Sequence, residues 1–401
     1  MNTLKKTDLK ELREHWTLCM HCAACYYNGP FIPHNWLELP PPEWNAPVHK
    51  CPSFEYYKFR SHTALGRSNR AAVIFDDKDF PLTEDLIEIV YTCTSCGLCS
   101  ELCAFMRPLR GTWSLREELV ERGAILPEPV RKMDEHMAKY NNIFGLKDTP
   151  AALKFLPTSG EDVYFAGCVA RYQQPEVARA TAAVLKAAGI NIASLGAEEQ
   201  CCGFVAGHDG NTRLLEEQAA RNVAALAKAG AKRVIVSCAH CYKALKTDYP
   251  LIVDKLPFEV FHISELLARL IEEKKIKLTH PVQMEVTYHD PCFLGRHSKV
   301  YEEPRRVLAA IPGLKLVEME RCRRWSYCCG SGAKITASAY PEMASANTAE
   351  RLTEARQAAG TLVTACTTCA DHLGKAAKKE GSPVEIFDLP VIVARAMGLE
   401  P

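Results

Sequence analysis

From about residue 158 onward the chain alternates two apolar patterns. Short, nearly continuous apolar runs recur at Val163–Ala166, Ile190–Leu195, Arg233–Ser237, Val282–Tyr288, Leu314–Glu318, Leu362–Ala365 and Val384–Phe387. Runs of that length, bounded by turn residues, read as strands buried on both faces. Between them lie longer stretches of helical period, including Val177–Ala188, Leu214–Ala229, Arg305–Ile311 and Met343–Ala359. Strands that alternate with helices predict an α/β fold whose parallel sheets are covered by helices. Upstream, Leu115-Arg-Glu-Glu-Leu-Val-Glu-Arg is amphipathic and Gly123 ends it; Pro127–Tyr140 reads as another helix, and Asn141 to Pro150 as a linker.

Cysteine changes this picture most. The chain has 401 residues and 19 cysteines, an odd number. The start is charged and helix-like, without the apolar core of a secretory signal. No apolar run approaches the roughly 18–20 residues a membrane span needs. The expected location is therefore cytoplasmic, with docking to the inner face of a membrane only through a partner. In a reducing compartment, tightly spaced cysteines are metal or cluster ligands and not disulfides. The charges nearly cancel, 49 Lys and Arg against 48 Asp and Glu, so nucleic-acid binding has no global electrostatic support.

Eight cysteines precede residue 104, and Cys93, Cys96, Cys99 and Cys103 follow C-x2-C-x2-C-x3-C. Thiolates spaced by three wrap a loop around one face of a 4Fe–4S cube. Cys19, Cys22 and Cys25 repeat the triplet, and the fourth cysteine of that half is displaced to Cys51, followed by Pro52. Zinc sites more often use two separated C-x2-C pairs. The pattern resembles a bacterial two-cluster ferredoxin domain with an insertion. That resemblance implies one cubane on Cys19, Cys22, Cys25 and Cys103, and a second on Cys93, Cys96, Cys99 and Cys51. Ala104 stands where the ferredoxin motif usually has Pro. The insertion at 26–50, rich in Pro and aromatics, reads as a partner-docking loop or a cover over the cluster.

The second half is an internal duplication. Cys168 corresponds to Cys292, Cys201 and Cys202 to Cys328 and Cys329, and Cys238 and Cys241 to Cys366 and Cys369. Each pair of adjacent cysteines is followed by Gly203 or Gly330, and a strand leads into each C-x2-C. A vicinal disulfide would be strained and would be reduced in the cytosol. Four units follow: residues 1–110, a helical connector at 111–157, and two related α/β units at 158–278 and 279–401. No Gly-x-Gly-x-x-Gly follows a strand and no P-loop is present, so no flavin or nucleotide is expected on this chain.

Tyr288-His-Asp-Pro-Cys292-x-Leu-Gly-Arg296, Cys328-Cys-Gly-Ser-Gly and Cys366-x-x-Cys369 closely resemble the CCG cysteine-rich domain of heterodisulfide reductases. Two such domains behind a two-cluster ferredoxin module resemble the D-type polypeptide of those enzymes, a fusion of the C and B types. The resemblance implies a noncubane 4Fe–4S cluster on Cys168, Cys201, Cys202, Cys238 and Cys241, and another on Cys292, Cys328, Cys329, Cys366 and Cys369. It implies electrons from a flavoprotein or a membrane cytochrome or quinone-linked subunit, a hetero-oligomer, and a small disulfide or thiol as substrate. The alternative is an electron-relay subunit whose chemistry happens on another chain. Gly330-Ser-Gly-Ala-Lys replaces a more glycine-rich family sequence, and Cys366-Thr-Thr-Cys369 lacks the family's frequent Pro; both departures bear on substrate identity. His289 is a candidate proton donor to a leaving thiolate, and His240 a second. Lys334, Arg296, Arg323 and Arg324 could attract an anionic thiol, although solvation at the surface is the simpler reading. Cys322 has no counterpart in the first repeat and reads as a bystander.

Overall fold

The computed structural model describes residues 51–103, 107–147, 151–253 and 255–400. The expectations for Cys19, Cys22, Cys25, Ala104 and the 26–50 insertion lie outside the described residues.

The first described part is helical: α1 (Pro52–Tyr57), α2 (Ala64–Asp76), α3 (Glu84–Tyr91), α4 (Leu98–Leu102), α5 (Pro108–Glu121) and α6 (Glu128–Tyr140). The threonines before α2 and α3 cap them, the Thr63 and Thr83 hydroxyl oxygens accepting from the Gly66 and Leu86 amides. Pro52 and Pro108 start α1 and α5, where no amide donor is needed.

The remainder forms two parallel sheets of four strands each. The first holds β1 (Asp162–Phe165), β2 (Ile192–Ala193), β3 (Arg233–Val236) and β4 (Glu259–His262), in the order β2-β1-β3-β4. The second holds β5 (Met284–His289), β6 (Leu314–Leu316), β7 (Thr361–Thr364) and β8 (Glu385–Asp388), in the order β6-β5-β7-β8. The same order twice is the structural counterpart of the sequence repeat. Helices α7 (Gly167–Tyr172), α8 (Pro175–Ala187), α9 (Phe204–Asp209), α10 (Thr212–Lys228), α11 (Ala239–Lys243), α12 (Tyr249–Ile252) and α13 (Ile263–Glu272) belong to the first unit. Helices α14 (Glu302–Ala309), α15 (Ile335–Ala339), α16 (Pro341–Ala358), α17 (Thr367–Glu380) and α18 (Leu389–Ala396) belong to the second.

The two units embrace reciprocally. The last helix of the second, α18, packs on α8 of the first, and the last helix of the first, α13, packs on α14 of the second. Because α8 and α14 are counterparts, as are α13 and α18, the contact is a pseudo-twofold one. It brings the carboxyl ends of both sheets toward one seam. In open α/β sheets that end is where ligands bind.

Three expectations need correction. Strand β4 is not among the predicted runs, because as an edge strand it alternates exposed Glu259 with buried Val260 and has no continuous apolar stretch. Strand β2 is two residues long where six were expected: the chain leaves the sheet as the Ser194 amide bonds to the Pro157 carbonyl. The stretch from Asn141 is no loose tether. Asn142 is buried, its side chain bonding the Tyr140 and Leu146 carbonyls and the Phe144 and Leu146 amides, while the Asn141 carbonyl accepts from the Cys201 amide at 2.8 Å.

Helices α6 and α9 meet through two carboxyl groups. Asp209 is fully buried, and burial followed by the nearby charge of Asp134 pushes its pKa well above the usual range. Asp134 is raised in turn, by burial above all. Arg116, Tyr91 and Glu135 also face the pair, and Asn211 donates to both carboxyls. A carboxyl raised in the folded state stabilises the fold below its unfolded pKa of about 3.9 and loses that contribution as pH rises through the folded value. Asp209→Asn is therefore expected to flatten the fall in stability above about pH 4, by about 1.4 kcal/mol for each tenfold difference in proton affinity between the folded and unfolded chain. Urea midpoints of both proteins across the range pH 5–8 test this; parallel curves would show that the Asp209 carboxyl is not raised in the folded chain.

Candidate iron–sulfur centres

The cysteine loop of the helical part is built between α3 and α4. Cys51, Cys93, Cys96 and Cys99 line one pocket, together with Arg67, Leu98 and Leu109. Cys51 arrives from far upstream in sequence because α1 and α2 fold back beside the loop. Arg67 enforces that return: its guanidinium is buried and donates to the Ile89 and His62 carbonyls at 2.7 and 2.9 Å and to Ser53 Oγ at 2.8 Å. Burial raises the Cys51 thiol pKa, and Arg67 opposes that rise. Cys103 does not line this pocket.

The ten duplicated cysteines occupy the seam. Cys168, Cys238, Cys292 and Cys366 lie just beyond the carboxyl ends of β1, β3, β5 and β7, Cys241 and Cys369 lie in the first turn of the helices that follow, and the vicinal pairs sit in the longer connections after β2 and β6; nine of the ten are buried, Cys292 being half-buried. They form one continuous path of thiols. In the first unit Cys168 Sγ lies 3.9 Å from Cys201 Sγ. Cys202 adjoins Cys201 and Cys241, and Cys241 adjoins Cys238, closely enough for each to shift the other's pKa. The path then crosses the seam from Cys238 to Cys366 and runs on to Cys369, whose Sγ is 3.6 Å from Cys329 Sγ. Cys328 bonds to Cys329, and its neighbours include Cys292 and Cys96 of the upstream pocket. Leu98, Leu102 and Trp325 enclose the junction of Cys96 with Cys328.

The electrostatics repeat with the sequence. The second cysteine of each vicinal pair is the acidic one. Hydrogen bonds from Cys201 and then Cys241 draw Cys202 down to about 6. Those from Cys328 and Cys369 draw Cys329 well below the usual thiol range. The thiolate is the metal-binding form of cysteine, so each vicinal pair offers one already favoured; in the first unit hydrogen bonds from Cys241 and then Cys366 hold Cys238 low as well, whereas its counterpart Cys366 is raised. Both pairs turn on glycine. At Gly330, φ is +93° and a Cβ would stand 2.5 Å from Thr348 Oγ1 and 2.6 Å from the Ala344 carbonyl oxygen. At Gly203, φ is +74° and a Cβ would stand 2.8 Å from Leu215 Cδ1.

The charged candidates fall differently from the sequence reading. Arg296 is not a solvated surface cation. It is buried and spans the two halves, its Nε donating to the Cys96 carbonyl at 2.6 Å and its Nη1 to the Ser326 carbonyl at 2.6 Å. Lys334 pairs with buried Asp371 at 2.5 Å and lies close enough to Cys168 to lower that thiol's otherwise raised pKa. Arg323 is ion-paired with Glu302 and Glu318, and Arg324 lies over the Trp325 ring. Cys322 sits among Glu318, Asp290, Arg305 and Arg323, apart from the path of thiols.

The two histidine candidates also separate. His240 lies at the seam, its Nδ1 3.2 Å from Thr368 Oγ1, and it and the sulfurs of Cys238 and Cys366 lie within 4.8 Å of one another. Thr368 is the counterpart of His240 in the second C-x2-C and is also 3.5 Å from Cys238 Sγ. His289 is fully buried, and its Nδ1 accepts from Arg351 Nε at 3.0 Å. Arginine has no acceptor and stays charged, so His289 is neutral with its proton on Nε2. A second proton has no atom to occupy, which argues against the proton-donor role considered for His289. Arg116, Arg351, Thr368 and Asp371 were not among the candidate site residues read from the sequence. Arg351 shares its buried helical face with Asn347, Thr348 and Glu354, so its residue type gave no apolar contrast from which to read it.

The 4Fe-4S dicluster domain family matches residues 14–105, and the cysteine-rich domain family (CCG) matches residues 163–246 and 286–374. The chain is 38% identical over 328 residues to the D polypeptide of the dihydromethanophenazine:CoB–CoM heterodisulfide reductase of Methanosarcina barkeri, covering 79% of this chain and 80% of that one. This chain belongs to the D-type heterodisulfide reductase family. It is also 32% identical to the EtfAB:quinone oxidoreductase of Syntrophomonas wolfei, over 61% of this chain and 36% of that protein. A hypothetical protein from Helicobacter pylori shares the fold, with a TM-score of 0.53 at 12% identity over 84% of this chain and 68% of that one.

As a member of this family the chain is an iron–sulfur oxidoreductase subunit that carries 4Fe–4S clusters of both cubane and noncubane kinds. The donors present fit that cargo. The upstream pocket offers four sulfurs to a cube, and each duplicated unit offers five sulfurs. Sulfur-rich sets of this kind suit iron–sulfur clusters. Among the described residues no helix is long and apolar enough to cross a membrane.

Proposed function

We propose that this chain takes electrons from a redox partner through its helical module and delivers them to the seam between the two CCG units, where a small disulfide is reduced. The observation that carries this reading is the continuity of thiols from Cys96, past Cys328 and Cys329, across Cys366 and Cys238 to Cys202 and Cys168. When bound, the clusters supply one-electron redox chemistry at each step. In this reading Cys51, Cys93, Cys96 and Cys99 hold the cubane next to the seam, and Cys19, Cys22, Cys25 and Cys103 hold the outer one. The CCG cysteines of each repeat hold one noncubane cluster. The units proposed are residues 1–110, 111–157, 158–278 and 279–401.

Cleaving an S–S bond to two thiols takes two electrons, from the reduced partner, and two protons, from solvent. Two sulfur-rich sites that face each other across a pseudo-twofold seam can each receive one sulfur of the substrate. Thr368 and His240 offer hydrogen bonds between them, and Lys334 places a cation near Cys168. The partner is a flavoprotein or a quinone- or cytochrome-linked subunit in a hetero-oligomer, which would hold the chain in the cytoplasm or against the inner membrane face.

A second reading, an electron relay without disulfide chemistry, is favoured by the closure of the seam: Cys238 and Cys366 are only 3% and 0% exposed. Anaerobically purified chain with full iron and acid-labile sulfide is expected to oxidise reduced viologen when given a small organic disulfide. Full metal content without turnover would assign the relay role. Zinc without labile sulfide would overturn both.

A further inference from the structure

His289 is placed with unusual definition for a residue facing a metal-binding thiol. Its backbone is fixed by the β5–β7 ladder, His289 opposite Thr364, and its carbonyl also accepts from Thr364 Oγ1 at 3.1 Å. Its Nδ1 is fixed by Arg351, from the middle of α16. That guanidinium is fully buried and is itself held on every side. Nη1 donates to Glu354 Oε2 at 2.6 Å and to the Arg321 carbonyl at 3.0 Å, and Nη2 approaches Ser326 Oγ at 3.4 Å. Glu354 is secured in turn by the Arg321 amide and guanidinium. The neighbouring carboxylate, Asp290, is taken up by Arg305 and the Arg323 amide, so it does not compete for the ring.

A ring nitrogen that accepts from arginine leaves the proton on the other nitrogen. With Nδ1 committed to Arg351, Nε2 is the ring nitrogen left for Cys329, and the ring and the sulfurs of Cys329 and Cys369 lie within 4.8 Å of one another. The position three before the first cysteine of the other unit is Phe165, which is fully buried and has no donor. We propose that Arg351 is a positioning residue that locks His289 as an N–H donor to Cys329, and that this bond raises the reduction potential of the second CCG site. The proposal rests on Cys329 binding a cluster, as in the proposed function. Hydrogen bonds to cluster sulfurs stabilise the more negative, reduced state and are among the levers that set such potentials. Outer-shell partners of metal ligands are typically worth 10–100-fold.

The test is a redox titration of the intact, anaerobically purified chain, followed by electron paramagnetic resonance. His289→Phe copies the first unit. It is expected to lower the midpoint of one noncubane signal by at least tenfold in the reduction equilibrium, about 59 mV for one electron, and to leave the other unmoved. His289→Gln, which keeps an N–H donor, is expected to restore part of the shift. Arg351→Met frees Nδ1 and is expected to lower the same midpoint; it also decides the matter if His289→Phe fails to fold. Full iron and sulfide with unmoved midpoints in the Phe and Met variants would overturn the proposal alone. A Gln variant shifted as far as the Phe variant would overturn it as well. Absence of labile sulfide in the unaltered chain would overturn the cluster reading beneath it.

Discussion

Cys202→Ser is expected to empty the first CCG site and to abolish electron delivery across the seam. Cys202 is the acidic member of its pair because Cys201 and Cys241 both direct hydrogen bonds to it. A serine hydroxyl cannot take its place: it does not ionise in the neutral range, and its hard oxygen suits iron–sulfur chemistry poorly. Serine is smaller but otherwise isosteric, and the buried turn at Gly203 is unchanged, so the fold is expected to survive. The measured outcome would be loss of one cluster's share of iron and labile sulfide, with the other signals intact. Turnover, or relay to an acceptor, should fall by more than the roughly 10–100-fold typical of an outer-shell change. Retention of all the iron would show that Cys202 is not a ligand. Cys322→Ser is the internal control, since that thiol lies among Glu318 and Arg323 away from the path.

How far the sequence foretold this arrangement depends on the distance over which each feature is encoded. The central strands β1, β3 and β7 were legible because burial on both faces leaves an uninterrupted apolar run. Edge strand β4 was not, because one of its faces meets solvent at Glu259. The duplicated cysteines were legible because their spacing recurs with the same neighbours, Cys-Cys-Gly and C-x2-C. That the two sets should touch through Cys238 and Cys366 was not legible, because it follows from the reciprocal packing of α8 with α18 and α13 with α14. Charged residues were the least readable. Arg116 sits in a stretch that reads as amphipathic, with the charges facing water. In the fold it is buried, and it donates to the Val90, Cys93 and His208 carbonyls, tying α3, the cysteine loop and α9 together. A side chain's residue type and spacing show what it can bond, and only the tertiary fold shows which carbonyl it reaches.

Arg296 gives the sharpest case, and Arg296→Met is expected to uncouple the helical module from the second CCG unit. The side chain leaves the turn after Cys292, and its guanidinium reaches the carbonyls of Cys96, Arg324 and Ser326. Burial disfavours its charge, but Cys96 and then Cys292 more than offset that cost, so its pKa lies above the usual value. Methionine fills much of the volume but offers no donor. Buried carbonyls that lose a charged partner cost about 1–3 kcal/mol each. The loss falls at one junction, where Cys96 meets Cys328, and not across the core. His297, which bonds the Ser95 carbonyl at 3.0 Å, and Lys299, which pairs with Glu101 at 2.5 Å, remain as weaker ties along the same edge. The variant is therefore expected to lose several kcal/mol in a denaturant titration, with the earlier part of the transition belonging to the helical module. Reduction of the CCG centres by a rapidly mixed electron donor should slow more than reduction of the cubanes. A single transition of unchanged midpoint, with both centres reduced at the original rates, would show that the two halves are joined by something other than this arginine.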